Sequence, residues 1–421
     1  MNFAKTTAIG AALALGAMTV TAVSPALAKK KDDAAAPAAK ANYSSAFRQV
    51  APPLQKAVDG GDIATAKTLL PAVQAAASTD DDKYAVAALA YQIAQKTNDA
   101  AGSAAAVDAM LASGKASPEN TKALLSAQGQ NAFNSGNFQV ADAAFTKLAA
   151  ANPNDGDILI SLAAVKTREG RTAESLPIVD QAIAAKKAAN QPVPEDWYRR
   201  ALSIAYDGKP PSPAGVVKYG QQLVTAYPSS KTWRDVLQTY RDTGKLDQQT
   251  DLDTMRLMRA NNALAGERDY YEYANLANDK GYPGEAKAVI DEGIASNMVE
   301  NKSLATSKAL NEIKTLAGPK VAGDKASLPA LDKRSRAGAD GKIAANTADA
   351  YLGYKMFPQA VDLYKVALQK GGVDPNIVNL RLGIALAQSG QKAAAVQSFG
   401  AVTGPRQALA GYWTIWANQQ P

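Results

Sequence analysis

From Tyr43 onward, apolar residues recur three or four positions apart, and no run alternates apolar and polar positions as a half-buried strand would. The pattern predicts an almost wholly α-helical chain. After Phe357, for example, Ala360, Tyr364 and Ala367 fall on one helical stripe, where small side chains let a neighbouring helix approach. The stripes are interrupted at Gly61, Asn98, Gly136, Gly170, Gly208, Gly244, Gly281, Gly318, Lys355 and Gly390, with separations of 34 to 38 residues. This near-constant spacing predicts ten helical hairpins in a continuous array, turned at residues where glycine relieves the backbone. The run Lys209-Pro210-Pro211-Ser212-Pro213 lengthens one turn, because proline cannot continue a helix. The last apolar segment, Gln407 to Gln420, carries Leu409, Tyr412, Trp413 and Trp416 and reads as the capping helix that a stacked array needs.

The stretch from Lys122 to Pro153 contains Gly129, Gly136, Phe138, Ala141, Phe145 and Pro153, and Gly170 follows Gly136 by 34 residues. These residues and this period resemble the tetratricopeptide family, without its usual opening aromatic. The resemblance is strongest over Lys122 to Ile183 and Ile343 to Phe399, where Leu382, Gly383, Leu386, Gly390, Ala395 and Phe399 repeat the pattern. It implies an all-α solenoid of antiparallel helix pairs wound as a right-handed superhelix. Such a fold holds another molecule rather than transforming one.

At the amino end, Lys5 precedes an apolar run from Ala8 to Val23, followed by Pro25 and Ala26-Leu27-Ala28. Residues 1–28 therefore read as a cleaved secretory signal, and the run is broken by Thr19 and Thr21, short of the ~20 apolar residues of a spanning helix. The segment 29–42, KKKDDAAAPAAKAN, has no large apolar side chain to bury and reads as a flexible linker. Residues 43–421 form the helical-repeat domain. With no later transmembrane segment, the expected location is the periplasm. The chain has no cysteine, so it has no disulfides and no lipidation site.

The net charge is +7, mild for 421 residues, with basic side chains spread along the helices. A denser patch at Lys333, Arg334 and Arg336 reads as a solvated loop face, and an exported protein of this kind is not expected to bind nucleic acid. Histidine is absent along with cysteine, which removes histidine-dependent triads, thiol catalysis and the usual zinc ligands. Asp80-Asp81-Asp82 lacks the alternating oxygens and glycine of a calcium loop and reads as a helix start. Ser389-Gly390-Gln391-Lys392 has the spacing of a serine–lysine nucleophile motif, but its companion elements are missing and it falls on a turn. Gly114-Lys115 lacks the rest of a phosphate loop. No enzyme activity, cofactor or metal is expected.

In tetratricopeptide proteins the first helix of each pair lines the concave surface. Carried over, this implies that Trp233, Leu237 and Tyr240 pack inward while Arg234, Gln238 and Arg241, one position further round, face the groove. In the next unit Tyr270, Ala274 and Ala277 pack, while Tyr271, Asn275 and Asn278 face the groove; Tyr198 on the preceding first helix would extend it. Arginine, amide and tyrosine side chains suit a peptide backbone or carboxylate. The lysine and asparagine set with which some eukaryotic members clamp a terminal carboxylate is not reproduced. The expected function is a periplasmic scaffold or adaptor that binds a protein or peptide. The alternative is an outer-membrane-associated solute- or glycan-binding module using some of the 16 tyrosines and 4 tryptophans.

Overall fold

The computed structural model describes residues 41–299 and 305–420, so the expected signal at 1–28 and most of the expected linker lie outside it. The chain divides into two compact units after Val193. Unit 1 contains four hairpins: α1 (Ser45–Asp59) with α2 (Ile63–Ala76), α3 (Asp80–Lys96) with α4 (Ala100–Ala112), α5 (Pro118–Asn134) with α6 (Phe138–Ala151), and α7 (Gly156–Arg168) with α8 (Thr172–Ala188). Unit 2 opens with three more: α9 (Glu195–Asp207) with α10 (Pro213–Ala226), α11 (Ser230–Gly244) with α12 (Gln248–Ala260), and α13 (Gly266–Asp279) with α14 (Pro283–Ala295). It continues through the long α15 (Ala305–Ala337), then α16 (Lys342–Gly353) with α17 (Phe357–Lys370), α18 (Pro375–Gln388) with α19 (Lys392–Gly400), and α20 (Gln407–Gln419).

The hairpins share one turn chemistry. Seven of the ten predicted turn residues, Gly61, Asn98, Gly136, Gly170, Gly281, Lys355 and Gly390, have positive φ. In each case the amide of the following residue donates to the carbonyl five positions before it, at 2.8–2.9 Å, as in Asp62 to Ala57 and Gln391 to Leu386. Orphan carbonyls at the end of the first helix are thereby satisfied, and the chain reverses directly into the second. The pairs then lock by size. A Cβ on Gly129 would lie 2.8 Å from the Phe145 ring, and one on Gly383 would lie 2.4 Å from Phe399. The same 16-residue offset places a glycine under an aromatic ring in both the early and the late repeat.

Three predicted turns differ. Gly208 has φ −57, and the proline-rich connection that follows makes this reversal instead. At the next hairpin the left-handed residue is Lys245, with φ 46, one position after Gly244. Gly318 is no turn at all: it lies inside the 33-residue α15, so nine hairpins and one long helix replace the ten expected among the described residues. Nothing lies within 4 Å of a Cβ built on Gly318, so neither space nor backbone angle requires glycine there. Leu310, Ile313 and Ala317 stay buried on one helical stripe, and this packing carries the helix through Pro319. The basic patch Lys333, Arg334 and Arg336 is exposed as expected, but on this helix rather than on a loop.

Asp80-Asp81-Asp82 begins α3 as expected. Thr79 and Asp82 form a reciprocal capping box. Asp82 is fully buried and also accepts hydrogen bonds from the Ser44 and Ser78 amides at 3.0 and 3.1 Å. Burial alone would raise its carboxyl pKa, but these bonds hold it at about 2.

In unit 2 the later helices cover the second helices of the earlier hairpins. Arg381 on α18 reaches Asp253 on α12 at 3.1 Å, Tyr282 before α14 donates to Asp349 on α16 at 2.9 Å, and Gln419 on α20 donates to the Val224 carbonyl on α10 at 2.7 Å. The expected capping helix is therefore more than a cap. Its Tyr412 and Trp413 are fully buried, with Tyr412 against Trp233 and Tyr240, and Trp413 donating to the Asp253 carbonyl at 3.3 Å.

Candidate functional site

With α10, α12 and α14 covered, α11 and α13 of unit 2 retain a polar face. Ser229 caps α11 by accepting from the Thr232 amide, and the inward stripe of that helix is buried as predicted: Trp233, Leu237 and Tyr240 are 2%, 0% and 4% exposed. On α13 Tyr270, Ala274 and Ala277 are buried likewise. One position further round, Arg234, Gln238, Arg241, Tyr271 and Asn275 line a common groove of about 620 Å³. The four-residue spacing within each helix brings these five together. Asn278 is half-buried one turn beyond the groove lining, and Tyr198 is not on an open surface: it is 3% exposed, with its ring 6.3 Å from that of Tyr227.

The arginines in this groove pair with carboxylates of the chain itself. Arg234 donates to Asp269 and, at 3.2 Å, to the Ala263 carbonyl; the same Asp269 carboxylate accepts from the Ala265 amide at the start of α13. Arg241 grips Asp251 through two bonds of 2.5 and 3.0 Å and reaches Glu272 at 3.0 Å. Arg268 completes the set by donating to Glu272 at 2.7 Å. Burial opposes the Arg241 charge, but the two carboxylates outweigh it and raise its pKa. Burial likewise works against the Glu272 carboxylate, which Arg268 and Arg241 nevertheless hold below its ordinary range. The guanidinium groups thus fasten α11 to α12 and α13. With Arg234, Arg241 and Arg268 set against Asp242, Asp251, Asp269 and Glu272, the groove carries one net negative charge.

The side chains left for a ligand are neutral apart from the exposed Asp242 carboxylate. Among the described residues the Tyr271 hydroxyl and the Gln238 side-chain amide make no hydrogen bond, while Asn275 donates to Asp279 at 3.1 Å. The sequence reading missed Asp251, Asp269 and Glu272. Only the Arg268–Glu272 pair, four residues apart on one helix, carries a local signal.

Two other concavities were not anticipated. In unit 1, α2, α3 and α4 enclose a groove of about 740 Å³ lined largely by alanines, including Ala87, Ala90, Ala105 and Ala109. Its sequence signal is the alanine run that opens α4. In unit 2 a cavity of about 320 Å³ lies against Arg256, Arg259 and Trp413. Among the described residues no helix is long and apolar enough to cross a membrane, and no cluster of three or more acidic side chains is placed to hold a metal.

No protein-family model matches the chain, and no curated protein matches it closely enough to stand as a relative. Solved structures of helical-repeat proteins are similar at low identity. The complex of the TPR2AB domain of yeast Sti1 with pHSP90 is 15% identical, covering 71% of this chain and 98% of that one, with a TM-score of 0.25. A tetratricopeptide repeat protein from Parabacteroides merdae is 12% identical over 79% of this chain and 98% of its own, with a TM-score of 0.24. The pentatricopeptide repeat protein PPR10 from maize is 12% identical over 89% of this chain and 61% of its own, with a TM-score of 0.32. None of these likenesses carries a residue-level correspondence. The recurrent hairpin, its left-handed turn residue and its glycine–aromatic lock give the described residues an all-α helical-repeat fold.

Proposed function

We propose that the protein is an exported, periplasmic scaffold that binds a protein or peptide partner on the α11–α13 face. The observation that carries this reading is the groove itself, whose walls are built from internal ion pairs and whose remaining polar groups are the neutral Gln238, Tyr271 and Asn275 beside the exposed Asp242 carboxylate. Gln238, Tyr271 and Asn275 suit the carbonyls and amides of an extended backbone, while the net negative charge disfavours a free carboxylate and favours a neutral or basic segment. Export rests on the sequence of residues 1–28. The tetratricopeptide-like architecture supports a binding role, because stacked hairpins present extended surfaces.

The glycan-binding alternative finds little stacking surface in this groove. All four tryptophans are buried, at 0–6% exposure, and Tyr271 is the aromatic residue that lines the groove. The test is affinity capture from a periplasmic extract after gentle crosslinking, comparing the native chain with Tyr271→Arg and Asn275→Arg variants. One protein retained by the native chain and lost from both variants supports the proposal. Retention of no protein, or equal retention by all three, overturns it.

A further inference from the structure

The 320 Å³ cavity of unit 2 shares no lining residue with the α11–α13 groove and has a different character. Its polar wall is a chain of satisfied ion pairs. Arg256 donates twice to Glu285, at 2.8 and 2.6 Å, and once to Asp253 at 2.6 Å. Tyr273 donates to the same Glu285 at 2.8 Å, and Arg259 donates to Glu292 at 2.8 Å. The apolar lining of the cavity is made by Leu352, Phe357, Ile384 and Trp413.

Lys355 stands at the rim, exposed, on a left-handed turn between α16 and α17, and its ammonium has no carboxylate or carbonyl partner among the described residues. The side-chain amides of Asn262 and Gln388, also lining the cavity, form no hydrogen bond among the described residues. Arg256 and Arg259 are matched by Glu285, Asp253 and Glu292, and Lys355 is the cation of the lining that has no carboxylate partner among the described residues. The volume is at the lower end of that found for small-molecule sites, which join apolar walls to a few convergent polar groups.

We propose that this cavity binds a small organic monocarboxylate. Its apolar body would lie on Leu352, Phe357 and Ile384, and its carboxylate would accept from Lys355 and the Asn262 and Gln388 amides. A neutral ligand of the same shape leaves the Lys355 charge unmatched, so the site discriminates by charge rather than by size. The paired arginines hold the wall in place and need not be broken for the ligand to enter.

All four tryptophans lie after Pro194, and Trp413 lines the cavity, so intrinsic fluorescence of the full chain reports on it. Phenylacetate and 4-methylpentanoate would be titrated against their amides, phenylacetamide and 4-methylpentanamide. The expected result is a saturable change with the carboxylates and binding at least about tenfold weaker with the amides. Lys355→Gln should weaken the carboxylates by at least about tenfold without lowering the melting temperature, whereas Arg268→Gln, in the other groove, should leave their binding unchanged. Three outcomes overturn the proposal: equal binding of acid and amide, binding that survives Lys355→Gln, or no saturable change up to about 10 mM.

Discussion

Arg381→Met tests the buried ion network that ties the later helices of unit 2 to the earlier ones. The guanidinium is 3% exposed and bridges two carboxylates, donating to Asp349 at 2.7 Å and to Asp253 at 3.1 Å. Burial opposes its charge, yet Asp253 and Asp349 more than offset this and raise its pKa. After substitution, Asp253 keeps Arg256, but Asp349 keeps only the hydroxyls of Tyr282 and Tyr364, at 2.9 and 2.6 Å. An uncompensated buried charge of this kind costs about 3–5 kcal/mol. Asparagine at 349 removes that charge, its Oδ1 accepting from one tyrosine hydroxyl and its Nδ2 donating to the other, so Arg381→Met combined with Asp349→Asn should recover at least about 1.5 kcal/mol of the loss. Urea unfolding followed by tryptophan fluorescence at pH 7 is the assay, since every tryptophan belongs to unit 2. A loss below about 1 kcal/mol for Arg381→Met, or a double variant no more stable than the single one, would refute the reasoning.

Unit 1 should show an acid-sensitive capping interaction. The Asp82 carboxyl is held at about 2 against an ordinary 3.8, so its contribution of roughly 2 kcal/mol is fully present above pH 4 and is lost as pH falls towards 2. Far-UV circular dichroism melts from pH 2 to 5 should show this slope in the native chain and a flatter one in Asp82→Asn. Gly383→Ala places a methyl 2.4 Å from Phe399, and overpacking offset by better helix propensity gives a net loss of about 1–2 kcal/mol, measured by the same urea assay. An equal or higher stability would contradict the glycine–aromatic lock. Lys245→Gly relieves a left-handed non-glycine residue and should gain about 0.5–1 kcal/mol, whereas a loss would show that the lysine side chain holds the turn.

The helical hairpins were legible because two local signals coincide, the buried stripe within each helix and the left-handed residue after it. Gly129 and Phe145 announce their contact through a fixed offset, as do Gly383 and Phe399. Gly318 misled because Gly-Pro is a local stop signal, while the burial of Leu310, Ile313 and Ala317 that overrides it is tertiary. The groove residues were found wherever i, i+4 spacing alone decided the face. The arginine pairings were not, since Arg241 meets Glu272 across 31 residues and Arg234 meets Asp269 across 35. Tyr198 was misplaced for the same reason: a helical stripe shows which residues share a face but not which neighbour covers it.

The most direct test of the proposed scaffold role is in-cell photocrosslinking from position 271, with a photoreactive residue replacing Tyr271 and mass spectrometry of the adducts. The account predicts one dominant protein adduct that disappears when the probe is moved to exposed Lys333 on α15. Absence of any protein adduct at position 271, or the same adduct from both positions, would contradict a partner seated in the α11–α13 groove.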